Sequence, residues 1–151
     1  MAKVLIKKLD PAVKLPEYKT DGASGMDLIA FIKETINLEP KTSYLVPTGL
    51  SVAFSKDYEI QIRPRSGLAA KNNVSVLNTP GTIDSDYRGE IKVILFNHGN
   101  NEFIINNKDR IAQMVLAPII KAEFEEVDEL PDTIRGEGGF GSTGSGGGTK
   151  N

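Results

Sequence analysis

The stretch Tyr58-Glu-Ile-Gln-Ile-Arg63 alternates apolar and polar residues with a period of two. That is the spacing of a strand with one face on a core and the other toward solvent; a helix would repeat its apolar residues every three or four positions. Working outward, Leu50-Ser-Val-Ala-Phe54 precedes it across the turn signal Ser55-Lys-Asp57. Ile91-Lys-Val-Ile-Leu-Phe96 is rich in β-branched and aromatic residues, as strands are. Val4-Leu-Ile6, Phe103-Ile-Ile105 and Met114-Val-Leu116 are further strand candidates. Turn signals separate them: Glu39-Pro40, Pro47-Thr-Gly49, Thr79-Pro-Gly81 and His98-Gly-Asn-Asn101. Only residues 66–71 suggest a short helix, and no internal repeat is visible. Many short strands at such spacing predict an all-β sandwich or barrel.

The chain has 151 residues and 15 glycines, eight of them between positions 136 and 148. This predicts one domain over 1–134 and a glycine-rich tail over 135–151, which by composition alone is a flexible linker. The acidic run Glu123-Phe-Glu-Glu-Val-Asp-Glu-Leu-Pro-Asp132 reads as a solvated edge that closes the domain. With no cysteine there is no disulfide, no thiolate nucleophile and no Cys-based metal site. The N-terminus has too few apolar residues for a signal peptide, and no run is long enough to span a membrane, so a cytoplasmic protein without a membrane partner is expected. A net charge of -2 and a pI near 5.5 argue against a nucleic-acid-binding face, though a small anion needs only a few placed cations.

The single histidine, His98, rules out multi-His metal sites and reads as a polar turn residue. Acid–base chemistry at neutral pH therefore falls to carboxylates. The five arginines are Arg63, Arg65, Arg88, Arg110 and Arg135, and their planar forks suit phosphate. Structural ion pairs are the simpler reading for Arg88 and Arg110. In Leu77-Asn-Thr-Pro-Gly-Thr-Ile-Asp-Ser-Asp-Tyr-Arg-Gly-Glu90, Pro80 and Gly81 fit the centre of a type II turn. That predicts a hairpin with Asn78 on one arm and Asp84 and Tyr87 on the other. Asp84 is then a candidate general base, although from these residues alone an ordinary polar hairpin is the simpler reading. The tail contains G-x-G-x-x-G in Gly136-Glu-Gly-Gly-Phe-Gly141, but only ten residues follow, too few for the strand–helix–strand unit that motif requires.

Five segments in order resemble the five motifs of the trimeric deoxyuridine triphosphatase (dUTPase) family. They are Ala23-Ser-Gly-Met-Asp-Leu-Ile-Ala30, Pro64-Arg-Ser-Gly-Leu-Ala69, residues 77–90, Asp109-Arg-Ile-Ala-Gln113, and Arg135-Gly-Glu-Gly-Gly-Phe-Gly-Ser-Thr-Gly144. One departure is Lys108, where the fourth motif usually has glycine. The resemblance implies a distorted jelly-roll or β-barrel of short antiparallel strands with a flexible glycine-rich C-terminal arm. It implies hydrolysis of dUTP to dUMP and pyrophosphate with Mg²⁺. That reaction supplies dUMP for thymidylate synthesis and keeps uracil out of DNA.

By the same resemblance, Asp84 activates the water that attacks the α-phosphorus. Arg65, Ser66, Gly67 and Gln113 contact the phosphates. Arg135, Gly141, Ser142 and Thr143 of the arm do so from the other side. Asn78, Gly81, Thr82, Ile83 and Lys92 hold the nucleoside, Tyr87 packs under the deoxyribose, and Phe140 stacks on uracil. Asp27 reaches the metal through water. The arm over 135–144 is a lid, and the sites lie between the subunits of a homotrimer. The related dCTP deaminases share the fold, but the hairpin and complete fifth motif favour dUTPase. A regulatory protein that senses the nucleotide is a third reading.

Overall fold

The computed structural model describes residues 1–144 and 146; most of the flexible end expected over 146–151 lies outside them. Its contacts divide the chain into two units, Met1–Ile120 and Lys121–Asn151. The first unit holds eleven strands and one short helix. In chain order these are β1 (Val4–Lys8), β2 (Met26–Ile29), β3 (Ile36–Leu38), β4 (Ser43–Pro47), β5 (Leu50–Phe54), β6 (Tyr58–Arg63), α1 (Ser66–Asn72), β7 (Val74–Val76), β8 (Gly81–Ile83), β9 (Lys92–Asn97), β10 (Phe103–Ile105) and β11 (Arg110–Pro118). No helix among the described residues is long and apolar enough to cross a membrane.

Every strand pairing is antiparallel. The strands form two pairs, β1–β5 and β10–β3, a three-stranded sheet β4–β9–β7, and a four-stranded sheet β2–β11–β6–β8. They enclose one apolar core, as a jelly roll of short strands does. The alternation in β6 turns Ile60 and Ile62 inward, with Ile60 fully buried. Leu28, Val74, Val76, Val93, Leu95 and Ile111 complete the centre. Burying a side chain of this size contributes about 1.5–3 kcal/mol. β-Branched residues dominate because they lose little freedom on a pleated surface.

One polar side chain sits in that core. Asn97 is fully buried at the end of β9. Its amide donates to Leu38 O (2.9 Å) and Asn101 O (2.8 Å), and its oxygen accepts from Gly99 N–H (2.9 Å). It thereby satisfies the backbone where the His98-Gly-Asn-Asn101 turn leaves the sheet. His98 is exposed, as a turn residue should be; its ring meets Ser75 Oγ at 2.6 Å and packs tilted on Phe96.

The expected hairpin over 77–90 is not formed. β7 pairs with β9, whereas β8 pairs with β6, so the two arms belong to different sheets. The Thr79–Pro80 peptide is cis and Gly81 has no positive φ, so the bend is not a type II turn. Glycine is required at 81 for space. A Cβ there would lie 3.2 Å from Ile62 Cβ and 3.4 Å from Asn78 Nδ2.

The second unit contains no regular strand or helix among its described residues. From Thr133 it is a run of tight turns, with backbone bonds Gly136 N to Thr133 O, Gly138 N to Arg135 O, Ser142 N to Gly139 O and Gly144 N to Gly141 O. Gly136, Phe140, Gly141 and Gly144 all have positive φ, which glycine adopts without steric cost. Arg135 Nε donates to Gly138 O at 2.8 Å.

Candidate active site

The four-stranded sheet carries two groups of polar residues. The first is built on β2, β11 and β6. Gln113 of β11 faces Asp27 of β2 on one side and Arg63 of β6 on the other. Arg110 and Gln113 are three residues apart and would face opposite sides of a regular strand. A register shift between Arg110 and Ala112 changes this: Ile111 and Ala112 are both buried, and Arg110 comes to the side of Asp27. Arg110 Nη1 lies 3.7 Å from Asp27 Oδ2. Arg65, the residue that caps α1, places Nε 3.2 Å from Asp27 Oδ1 and donates from Nη1 to Arg110 O at 3.4 Å.

Asp27 is thus not a loose carboxylate. It lies mid-strand, only 16% exposed, between two guanidinium groups. Arg65 Nε is buried and makes no angled hydrogen bond, so the contact is one of charge. Ser66 and Gly67 open α1 and are exposed. The first N–H groups of a helix have no partner within it and point outward. The resulting surface has more positive than negative charge and free donors, which suits phosphate oxygens.

The second group surrounds β8. Asn78, Gly81, Thr82, Ile83 and Lys92 line a small cavity of about 60 Å³, with Ile62 and Val93 among the walls. Thr82, Ile83 and Lys92 also line a wider cavity of about 440 Å³ with Asp84, Tyr87, Glu90 and Leu45. Asp84 is exposed at that cavity. Tyr87 donates from its hydroxyl to Glu90 O at 3.0 Å. Its ring lies against Gly89, where a Cβ would come within 2.3 Å of the hydroxyl. Gly89 and Glu90 therefore hold Tyr87, a role that sequence reasoning did not assign to them. The only signal was their adjacency in Tyr87-Arg-Gly-Glu90. Arg88 makes no ion pair among the described residues; it donates to Ser85 O at 2.7 Å and Tyr87 O at 3.2 Å, closing its own loop.

The two groups are far apart within one chain. Asp84 follows Ile83, which faces Ile60, whereas Asp27 lies in the row of Gln113 and Arg63. β2 and β8 are opposite edges of the sheet. At ordinary strand and residue spacings of ~4.8 and ~3.3 Å, Asp84 is roughly 20 Å from Asp27 along the sheet, farther than a triphosphate reaches. Arg135, Phe140, Gly141, Ser142 and Thr143 all lie in the second unit, and Phe140 is exposed.

Among the described residues no three acidic or histidine side chains gather to hold a metal ion. Asp27, the carboxylate expected to face a metal through water, is engaged by Arg65 and Arg110, so its fit is to water in an ion's outer shell rather than to direct ligation.

A family model described as dUTPase matches residues 12–144. The deoxyuridine 5'-triphosphate nucleotidohydrolase of Fusobacterium nucleatum is 54% identical over 145 residues, covering 95% of this chain and 99% of its own. That of Treponema denticola is 58% identical over 137 residues, covering 91% and 95%. Among solved structures, a variant of the Staphylococcus bacteriophage 80alpha dUTPase with dUpNHpp superposes with a TM-score of 0.82 at 25% identity, covering 94% of this chain and 98% of its own. With the family model spanning both polar groups and most of the tail, the chain belongs to the dUTPase family.

Proposed function

We propose that the chain hydrolyses dUTP to dUMP and pyrophosphate by attack of an Asp84-activated water on the α-phosphorus. Asp84 takes the proton as the water oxygen bonds to phosphorus, and the bond from phosphorus to the bridging oxygen breaks to release pyrophosphate. The observation that carries this reading is the gathering of Asn78, Gly81, Thr82, Ile83 and Lys92 around one small cavity that opens, through shared walls, onto exposed Asp84 and Tyr87. The walls that Ile62 and Val93 form in this cavity are the ones a 5-methyl group would press against, which favours uracil over thymine. Tyr87, fixed by Glu90 and Gly89, packs under the deoxyribose and leaves no place for a 2′-hydroxyl.

Arg65, Ser66, Gly67 and Gln113 hold the phosphates, with Arg110 and Asp27 setting the position of Arg65. A divalent ion such as Mg²⁺ brought with the triphosphate would supply charge neutralisation, and Asp27, held by Arg65 and Arg110, would be the carboxylate placed to meet its waters. Because the phosphate group and Asp84 are separated along the sheet, the complete site forms between copies, as in a homotrimer whose neighbours each present one half. The arm over 135–144 closes on the ligand. Arg135, Gly141, Ser142 and Thr143 meet the phosphates, and Phe140 stacks on the base. Closure keeps bulk water from the reacting phosphorus. The product dUMP feeds thymidylate synthesis, and removal of dUTP keeps uracil out of DNA.

Incubation with dUTP, dCTP, dTTP and UTP in Mg²⁺ tests the reading. Pyrophosphate should appear from dUTP alone. Ammonia from dCTP, or comparable hydrolysis of dTTP, would contradict it.

A further inference from the structure

Lys108 occupies the turn between β10 and β11 with φ of 72°. Its backbone N–H donates to Ala30 O at 2.9 Å, which ties the turn to the end of β2. Glycine takes this conformation without penalty, whereas a lysine pays for it. A side chain kept on an unfavourable backbone beside a functional group invites the question of what it does there.

The surroundings give an answer. Lys108, Lys14, Asn107 and Asp27 are charged or polar residues lining a cavity of about 180 Å³ whose other walls, among them Ile29, Phe31 and Leu50, are mostly apolar. Asp27 and Ile29 alternate with Leu28, which is fully buried, so they share the face of β2 turned away from the core. Ile29 pairs with Arg110 and Asp27 with Gln113, so this cavity adjoins the phosphate-side group. Its one lining carboxylate, Asp27, is already matched by Arg65 and Arg110, and Lys14 faces the charge of Glu17, leaving Lys108 as the cation of this lining that no lining carboxylate matches. Asp109, next in sequence, turns its carboxylate back to Asn106 N–H at 2.8 Å. Asn107 Oδ1 accepts from Ile32 N–H at 3.0 Å, leaving its amide hydrogens to donate.

We propose that Lys108 is a further substrate-binding residue, a cation for the β- and γ-phosphates of dUTP beside Asp27 and Arg110. The proposal rests on the reading of the Asp27–Arg65–Gln113 group as the phosphate side. Because the turn is one that glycine prefers, Lys108→Gly removes the charge while preserving the backbone.

The test compares wild type, K108G and K108R. In K108G, KM for dUTP and Kd for the analogue dUpNHpp should rise about twofold to fivefold, the range for one exposed charge contact, with kcat within about twofold. Inhibition by dUMP, which lacks the two outer phosphates, should be unchanged. K108R should restore KM. Unchanged KM and Kd in K108G overturn the proposal, as does weakening of dUMP and dUpNHpp by the same factor. A wild-type enzyme that releases no pyrophosphate from dUTP would instead sink the active-site reading, which separates the two failures.

Discussion

Gly81→Ala probes the joint between fold and specificity. Gly81 faces Ile62 directly across the β6–β8 ladder. The added Cβ would stand 3.2 Å from Ile62 Cβ, closer than ordinary van der Waals contact, so the strands must part locally by a few tenths of an ångström. Ile62 is β-branched and only 4% exposed, so it has no free rotamer to move into. The other neighbour, Asn78 Nδ2 at 3.4 Å, is exposed and can move, but it is a nucleoside contact in the proposed site. Overpacking of this kind costs about 1–3 kcal/mol. For a chain of this size each kcal/mol lowers the melting temperature by about 2–4 °C. If half of the strain is relieved by displacing Asn78, kcat/KM for dUTP falls about threefold to tenfold, since 1.4 kcal/mol is tenfold. The assay is steady-state release of pyrophosphate from dUTP beside a thermal melt. A variant with both melting temperature and kcat/KM at wild-type values would refute the close-approach argument for Gly81.

Asp84→Asn should lower kcat by roughly 10²–10⁴ while dUpNHpp binding stays within a few fold, the usual loss for a positioned base; near-normal turnover would remove Asp84 from the mechanism. Asn97→Ala leaves Leu38 O, Asn101 O and Gly99 N–H without their partner, and should cost about 2–3 kcal/mol in denaturant unfolding; a loss below the error of the titration would show that water replaces the amide. Truncation after Ile134 removes the turn-rich segment but none of the eleven strands, so the melting curve should be kept and catalysis crippled. Unfolding on truncation would contradict the lid.

The strands that carried the reading of the sequence were long enough to show their period. The stretches 50–54, 58–63 and 103–105 match β5, β6 and β10, and 66–71 falls within α1. β3, β7 and β8 have three residues each, too few for alternation to register; β10 is as short and was found only because Phe103-Ile-Ile105 is an unbroken β-branched and aromatic run. β2 was recognised as a motif but not as a strand, because Asp27 interrupts its apolar run; the ion pairs that make room for that carboxylate come from residues 38 and 83 positions away. The bend at Thr79-Pro-Gly81 was misread for a similar reason. Pro-Gly is a good local turn signal, but the backbone of Gly81 is governed by Ile62 on another strand. Gly89 escaped notice because its role depends on where the Tyr87 ring lies. The residues of the proposed site stand in segments that the sequence shows as motifs. Their separation into two groups on opposite edges of one sheet was not legible there, since pairing order leaves no local signature.

That separation is tested most directly by mixing variants. Asp84→Asn damages the β8 group, and Arg65→Ala damages the phosphate group. When the two inactive proteins are unfolded and refolded together, random assembly into a ring leaves roughly a quarter of the sites with both halves intact. Pyrophosphate release from dUTP should therefore return well above the sum of the separate proteins. A mixture no more active than its parents would contradict a site formed between copies and place both groups at one phosphate within a single chain.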